Sequence, residues 1–346
     1  SAGAIVSVAD YAETFDSNNL TIVPNGSDKI GSQNENAILS TKGQSITLIY
    51  VDGTQGWINT MDSTSNVRGL PPFVEATGGT ITTAPCGNYK IHTFTGPGTF
   101  AVTNAGTAPN NVVDYLVVAG GGGSGDNYGA GSGAGGYRES VPSPAVWTAS
   151  PIANPGGALP VSVQSYPITV GSGGAAGSNG DGGIGGISVF STITSTGGGG
   201  GGGSCGAQPG NPGGSGGGGG GSSASSAGAG NTPPVSPSQG FPGGSTGGAG
   251  AAAGGGATEA GGAYPGPSKG GDGAGTAINP ASPVGTPGPS GPLRYFAGGG
   301  AGQGAAGGTG GGASPGNGGT INTGGGAGNE GQTGGSGIVI IRYKFQ

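Results

Sequence analysis

Short runs of alternating apolar and polar residues predict β-strands along the chain, and the runs fall into separate groups. The first group lies before residue 60, and its runs are divided by Asn-Gly and Asp-Gly turn signals. Its predicted strands cover residues 5–9, 20–23, 45–51 and 56–59. This pattern is typical of a small all-β unit. We predict such a module over residues 1–70 and expect it to lack part of its N-terminal end, because its first strand begins where the sequence begins.

A second group of strands follows a Pro-Pro linker, which we place at residues 71–78. The predicted strands cover residues 89–95, 99–103 and 113–119, and a last run, GIVIIRYKF, covers residues 337–345. A flexible tether does not normally end on an apolar strand, so we expect this last strand to pair with residues 113–119. The pairing would close residues 79–346 into one domain.

Between these strands, apolar segments repeatedly run straight into glycine. Examples are YLVVAGGGG at residues 115–123, VFSTITSTGGGGGGG at 189–203 and RYFAGGG at 294–300. The reverse order, glycine followed by strand, occurs at residues 182–190 and at the end of the chain. A chain with both orders is predicted to weave up and down, with its strands gathered at one end.

Glycine supplies 93 of the 346 residues, without the strict period of collagen. Glycine chains can form an extended left-handed threefold helix, polyglycine II, which has no internal hydrogen bonds and rises about 3.1 Å per residue. Without Cβ atoms, such helices can pack side by side and pair their backbones. The predicted fold class is therefore all-β with a polyglycine II bundle (residues 119–337) on a strand base (residues 79–119 and 337–346), without an α-helical domain. A disordered tract between folded ends is the alternative.

The residue types needed for catalysis form no recognisable pattern. His92 is the only histidine and lies in a predicted strand, so we interpret it as a half-exposed strand residue. The cluster Asp10, Glu13 and Asp16 favours a solvated turn over a calcium loop. We expect no enzyme activity, no metal and no cofactor.

The two cysteines, Cys86 and Cys205, match neither a metal motif nor a disulfide framework. Free thiols are the favoured interpretation, and a bridge between the two cysteines is the alternative. A net charge of −6 disfavours nucleic acid and anionic membranes as partners. No run approaches the roughly 18 apolar residues of a membrane span, so we expect no membrane insertion.

Several motifs carry a resemblance to a known family. The segments YKIHTFTGPGTFAVT, VDYLVVAGGGG, YPITVGSGG and GGSGIVIIRYKF resemble the glycine-rich domain of bacteriophage tail-fibre and adhesin proteins, over residues 80–346. Residues 1–60 resemble a small β module of phage fibre and virion proteins. The resemblance implies a virion surface fibre that acts as a homotrimer or a fibre-tip subunit. Its implied partners are a host polysaccharide or outer-membrane protein and other fibre or baseplate proteins.

The reversals of the predicted bundle far from the strands are the candidate receptor contacts, because short polar loops on a rigid scaffold suit recognition. Segments 222–240 and 314–317 are expected to join them. The candidate receptor-binding residues are Asp126, Asn127, Tyr128, Asn179, Asp181, Gln208 and Asn211. Two alternatives stay open: these residues form plain turns, or the chain is an extracellular filament or sheath subunit without a specific receptor.

Overall fold

The computed structural model describes residues 2–63, 73–127, 129–178, 180–280 and 284–345. The chain divides into two compact units, Ser1–Pro72 and Phe73–Gln346. The described residues form strands in several sheets and contain no α-helix, which confirms the predicted all-β class.

The first unit contains five strands around a small core. In chain order these are β1 (Ile5–Ala9), β2 (Leu20–Ile22), β3 (Ala37–Leu39), β4 (Ser45–Asp52) and β5 (Gly56–Asp62). They form a β1-β4-β5 sheet and a separate β2-β3 pair. Leu39, Ile46 and Leu48 are buried, and Trp57 packs against them. The four predicted strands are confirmed, whereas β3 was missed because its three residues, Ala-Ile-Leu, do not alternate between apolar and polar.

Asp10 organises the turn after β1 and is buried, not solvated as predicted. Its carboxylate accepts hydrogen bonds from the backbone N–H groups of Thr14 and Phe15, both at 2.9 Å, and of Gly43 at 3.1 Å. A carboxylate with three backbone donors is a structural turn residue. No cluster of three or more potential metal-ligating side chains occurs anywhere in the described residues.

The described residues of the second unit form seventeen strands, most of which belong to its base. In chain order they are β6 (Glu75–Thr77), β7 (Thr80–Thr83), β8 (Tyr89–Phe94), β9 (Gly98–Asn104), β10 (Val112–Val118), β11 (Tyr137–Val141), β12 (Asn154–Pro155), β13 (Leu159–Pro160), β14 (Ser165–Thr169), β15 (Ser188–Phe190), β16 (Ile193–Ser195), β17 (Ala207–Gln208), β18 (Gly220–Gly221), β19 (Ala274–Thr276), β20 (Thr286–Pro287), β21 (Arg294–Phe296) and β22 (Ile338–Lys344).

Three sheets, which contain all of these strands except β17 and β18, form this strand base. The central sheet has the order β12-β11-β10-β22-β8-β7, with β13 also paired to β10, and the other two are β16-β15-β14-β9-β6 and β19-β21-β20. β22 lies between β10 and β8 and is antiparallel to both, so the predicted pairing of the last strand is confirmed. One face of the central sheet packs against Phe100 and Phe190 of the second sheet, and the other packs against Phe296 of the third.

The glycine segments leave these strands as threefold helices. Within residues 119–126, every third N–H group donates to the same neighbouring segment, so successive N–H groups point to different neighbours. The pairs, donor first, are Gly120 with Gly186, Gly123 with Gly183 and Asp126 with Gly180 for one neighbour, and Gly121 with Gly335 and Ser124 with Gln332 for the next. A period of three with all bonds made outside the segment is the geometry of polyglycine II.

The helices pack as a hexagonal lattice, which is clearest around residues 130–136. Each residue of this segment is buried and none is larger than alanine or serine. Its N–H groups donate in turn to segments 196–202, 252–255 and 324–327. Its carbonyls accept from three other segments, namely residues 119–125, residues 215–218 and Gly300. Six neighbours thus satisfy one central helix that makes no hydrogen bond within itself.

The outermost helices carry side chains at every third position. In residues 181–187 the exposed residues are Asp181, Ile184 and Ile187, and the four residues between them are glycine. Ile184 is 55% exposed and Ile187 is 49% exposed. Since a threefold helix turns the same face outward every three residues, side chains are accommodated on the solvent side and glycine faces the lattice.

Candidate functional site

The lattice segments reverse direction at the end remote from the strand base, and we call this surface the tip face. Hydrogen bonds connect its turns: Gly331 N–H donates to Gly125 O, Ser222 N–H to Gly206 O and Gly250 N–H to Gly221 O. Its described turn residues are 126–127, 177–178, 180–181, 204–208, 222–225, 246–250, 264–266, 303–305, 315–317 and 329–331. The tip face therefore collects turns that lie more than 200 residues apart in the sequence, as the bond from Gly331 to Gly125 shows.

Two of the predicted site residues, Asp126 and Asp181, lie beside the same turn. The Asp126 N–H donates to Gly180 O at 3.2 Å, and its Oδ1 lies 3.5 Å from the Ser204 hydroxyl. The Asp181 Oδ1 accepts the Gly203 N–H at 2.8 Å. Both carboxylates thus help to fix the 204–208 turn while they add negative charge to the tip face.

Asn127 and Gln208 differ in how firmly they are held. Asn127 is exposed and has a left-handed backbone with φ of +38°, which places it at the apex of its turn. Gln208 is half-buried, and its Nε2 donates to Cys205 O at 2.9 Å. Cys205 and Cys86 are both exposed free thiols, so the disulfide alternative is not formed. Asn127 is the more accessible of the two candidates.

The remaining candidates are distributed differently from the prediction. Tyr128 and Asn179 lie outside the described residues. Asn211 lies within the lattice, because its N–H donates to Gly200 O and its carbonyl accepts from Gly217 N–H, both at 2.9 Å. Its expected place at the tip is therefore corrected: the residue follows a turn, but its segment has already re-entered the bundle.

Segment 222–240 is also corrected in part, since only its first residues reach the tip face. At its other end, Gln239 is fully buried beside the strand base, where its carbonyl accepts the Tyr137 N–H at 2.9 Å and its Oε1 accepts the Thr196 N–H at 3.0 Å. The 314–317 turn does lie at the tip, because Gly316 N–H donates to Asn329 O. The prediction failed for Gln239 because glycine spacing alone does not reveal at which end a turn falls.

His92 belongs to the strand base and is fully buried, so the expectation of a half-exposed histidine is wrong. Its Nδ1 lies 2.7 Å from Gly78 O and its Nε2 lies 3.0 Å from the Tyr343 hydroxyl. Burial lowers the pKa of His92 below its ordinary value. Both ring nitrogens are thus occupied by structural partners.

Two buried carboxylates in the base were not singled out from the sequence. Asp114 accepts from the Ser140 hydroxyl at 2.8 Å, and burial raises the pKa of Asp114 to about 6. Glu139 accepts the Tyr137 hydroxyl at 2.7 Å and the Ser150 N–H at 3.1 Å, and burial raises its pKa as well. Such charges in strands carry no motif, and only tertiary burial makes them conspicuous. Their bonds link β10, β11 and the 150 loop.

Among the described residues, no helix is long and apolar enough to cross a membrane. No curated protein matches the chain. A family model described as a glycine-rich domain matches residues 93–344, which span the strand base from β8 to β22 and the whole lattice between them. The chain therefore belongs to the glycine-rich domain family.

Proposed function

We propose that this chain is a non-enzymatic attachment protein of a bacteriophage, a tail fibre or adhesin on the virion surface, whose tip face binds a receptor on the host cell. One observation carries the proposal: the tip face gathers many turns of varied sequence on a lattice whose interior is restricted to very small residues. Sequence variation at the tip then changes recognition without changing the scaffold.

The scaffold favours binding because it is ordered before a ligand arrives. Its backbone groups are paired in three directions, so the turns are short and anchored at both ends. Pre-ordered turns lose less conformational entropy on binding than mobile loops do. Asp126, Asp181 and Glu330 make the tip face acidic, which suits a neutral polysaccharide or a basic loop of an outer-membrane protein better than an acidic polymer.

The proposal includes assembly into a homotrimer or a fibre-tip subunit that contacts other fibre or baseplate proteins. An extracellular filament or sheath subunit is the competing function. Electron microscopy of the purified chain separates the two, because a closed oligomer or a monomer agrees with an attachment protein. Helical polymers under the same conditions would contradict the attachment function and support the filament function.

Binding to cells tests the proposal directly. The chain is labelled with a fluorophore and incubated with a panel of bacterial strains, and bound label is measured by flow cytometry. In the tip variant, Asn127, Tyr128, Asn179 and Gln208 are replaced by alanine. Its binding to the responsive strain is expected to fall at least about tenfold, the equivalent of about 1.4 kcal/mol. The tip variant leaves Asp126 and Asp181 in place because both hold the 204–208 turn.

The matched control replaces Thr80, Gln164 and Thr194 by alanine, since these residues are exposed on the strand base instead of the tip. It is expected to bind like the parent chain. Equal binding by the parent and the tip variant, or binding to no strain of a panel that supports infection, would contradict the proposal.

A further inference from the structure

A cleft of about 320 Å³ lies where the third sheet of the base meets the first turns of the lattice. Its volume falls at the lower end of the roughly 300–1,000 Å³ that is typical of small-molecule sites. It is lined by the 149–151 loop, by β19 and β21, by the turn between β20 and β21, and by lattice residues. The lining residues that bear on its chemistry are Ala149, Pro151, Thr258, Asp272, Leu293 and Tyr295.

One wall of the cleft is polar and ordered. The Asp272 Oδ1 accepts the Thr309 N–H at 2.9 Å, and its Oδ2 accepts Lys269 Nζ at 2.7 Å. The Thr258 hydroxyl lies 3.0 Å from Asp272 O and 3.1 Å from Gly273 O, so its lone pairs remain available as acceptors. Burial alone would raise the pKa of Asp272, but Lys269 and Thr309 hold it below its ordinary value. The carboxylate is therefore a fixed, charged acceptor.

The other wall is apolar and carries an aromatic ring. Leu293, Pro151 and Tyr295 provide this surface. The Tyr295 ring fits against backbone only because two neighbours are glycine. A Cβ on Gly275 would lie 2.6 Å from Tyr295 Cζ, and one on Gly288 would lie 2.1 Å from its Cδ2. The ring is thus held in a defined position while the residue stays half-buried.

These two walls select a class of ligand. A cation is disfavoured because the charge of Asp272 is already paired with Lys269. An anion is disfavoured because no basic side chain lines the cleft among the described residues. A purely apolar ligand would displace water from the remaining acceptor positions of Asp272 and Thr258 without replacing its hydrogen bonds, which is costly. A sugar ring instead offers hydroxyl groups to a carboxylate and a C–H face to an aromatic ring.

We propose that this cleft binds a neutral saccharide of one or two rings, with its hydroxyls on Asp272 and Thr258 and its apolar face on Tyr295 and Leu293. The site is separate from the tip face, because Asp272 lies two residues before the base strand β19 and the cleft is lined by β19 itself. It therefore goes beyond the proposed attachment function and gives the chain a second carbohydrate contact, close to the strand base.

Saturation-transfer difference NMR on the whole chain tests the proposal with glucose, galactose, N-acetylglucosamine and rhamnose as probes. At least one sugar is expected to show signals from its ring protons. Asp272→Asn should weaken binding of that sugar at least about tenfold because it removes the charge of the acceptor, and Thr258→Val should do the same because it removes the hydroxyl. Ala149→Trp should abolish the signal by filling the cleft without touching the bonds of Asp272.

The melting temperature of each variant shows whether it is folded. If Asp272→Asn melts at a lower temperature than the parent chain, Ala149→Trp provides the test of sugar binding. The tip variant should keep full sugar binding, so failure at the cleft and failure at the tip are distinguished. Signals from none of the four sugars, or equal signals from the parent chain and from Ala149→Trp, would overturn the proposal.

Discussion

The strand base and the lattice of the second unit are stable for opposite reasons. The base buries side chains, and Phe100, Leu116, Phe190 and Ile340 are each 0% exposed. The lattice buries backbone, and a Cβ placed on Gly200 would lie 1.9 Å from Gly182 O. Burial of apolar area stabilises the base. The lattice is stabilised by hydrogen bonds and close backbone contacts, which are possible only because side chains are absent.

This difference teaches where each region can change. A core of interdigitating side chains tolerates apolar replacements of similar volume. In the lattice, glycine backbones are in direct contact and no side chain can be exchanged for another of similar volume. A single added methyl group therefore already collides with a carbonyl. The cost of ordering glycine, which is the highest of any residue type, is offset only when every neighbouring helix is in place. The base brings the neighbouring helices together because it fixes the position at which each helix begins.

Deleting residues 338–345 should have the largest effect, because it removes β22 from the middle of the central sheet. Both β10 and β8 lose their partner, and four fully buried residues, Ile338 to Ile341, are lost. We expect the cooperative unfolding transition of the second unit to disappear, since the loss exceeds the roughly 5–15 kcal/mol by which domains are stable.

Circular dichroism melting of residues 73–346, with and without residues 338–345, measures the effect of this deletion. A lattice that melts normally without β22 would show that the glycine helices need no base. The comparison between the two regions would then fail.

Gly200→Val should have the next largest effect, because it places a side chain inside the lattice. The new side chain must displace the 182–187 helix, and the buried bond from Asn211 N–H to Gly200 O is lost. We expect about 4 kcal/mol of destabilisation from overpacking and lost hydrogen bonds together. Denaturant unfolding provides the measurement.

Gly180→Val is the matched control, since a Cβ there meets no atom within 4 Å and its neighbour Asp181 is exposed. It should cost less than about 1 kcal/mol. Equal losses for the two valine variants would mean that the lattice spacing is not what makes Gly200 intolerant.

Asp114→Asn should change how stability depends on pH, since the base contains ionisable groups. The pKa of Asp114 is raised to about 6 in the folded state against 3.8 in the unfolded chain. The folded state therefore binds this proton more tightly, and stability is lost as the pH rises from about 4 to about 6. Relative to the asparagine variant, the parent should lose about 3 kcal/mol over this window.

Urea unfolding of both proteins between pH 4 and pH 7 measures this difference. Ser140 hydrogen-bonds Asp114, and Arg342 and Glu139 lie near it, and these neighbours are unchanged in the variant. Parallel pH profiles would show that Asp114 is charged throughout and that its burial costs less than its position suggests.

The tip variant should have the smallest effect on stability. Alanine at Asn127 and Gln208 removes no backbone hydrogen bond of the lattice. Asn127→Ala should cost about 1 kcal/mol, because asparagine tolerates this left-handed backbone better than alanine does, and each of the other three changes should stay within about 0.5 kcal/mol. A fall of more than about 10 °C in the melting temperature would instead indicate that the turns hold the lattice together.

The strand base could be predicted in part from the sequence, because alternating apolar and polar residues indicate strands. The alternation in residues 337–345 and the strand-to-glycine order predicted both the pairing with β10 and the direction of the segments. β11 was missed because Arg138, Glu139 and Ser140 interrupt its apolar pattern, although burial makes Glu139 a core residue. Burial of His92 was equally hidden, since its partner Tyr343 lies 251 residues away.

The order of the helices in the lattice could not be predicted, for a physical reason. Neighbours in a side-chain core are selected by shape, but segments such as residues 197–203 present the same surface in every direction. Their positions are inherited from strand order in the base and from turn lengths. Asn211 and Gln239 were misplaced because both depend on that order.

The side chains at every third outward position limit the lattice on the surface that carries them. A hexagonal array of identical helices has no inherent boundary. An outer surface made only of glycine could therefore pair its backbone groups with a further layer of helices. Asp181, Ile184 and Ile187 occupy the space that a further helix would need on that surface. The threefold repeat thus has two effects. Glycine at the inward positions allows the helices to pack, and larger residues at the outward positions prevent a further helix from adding to that surface.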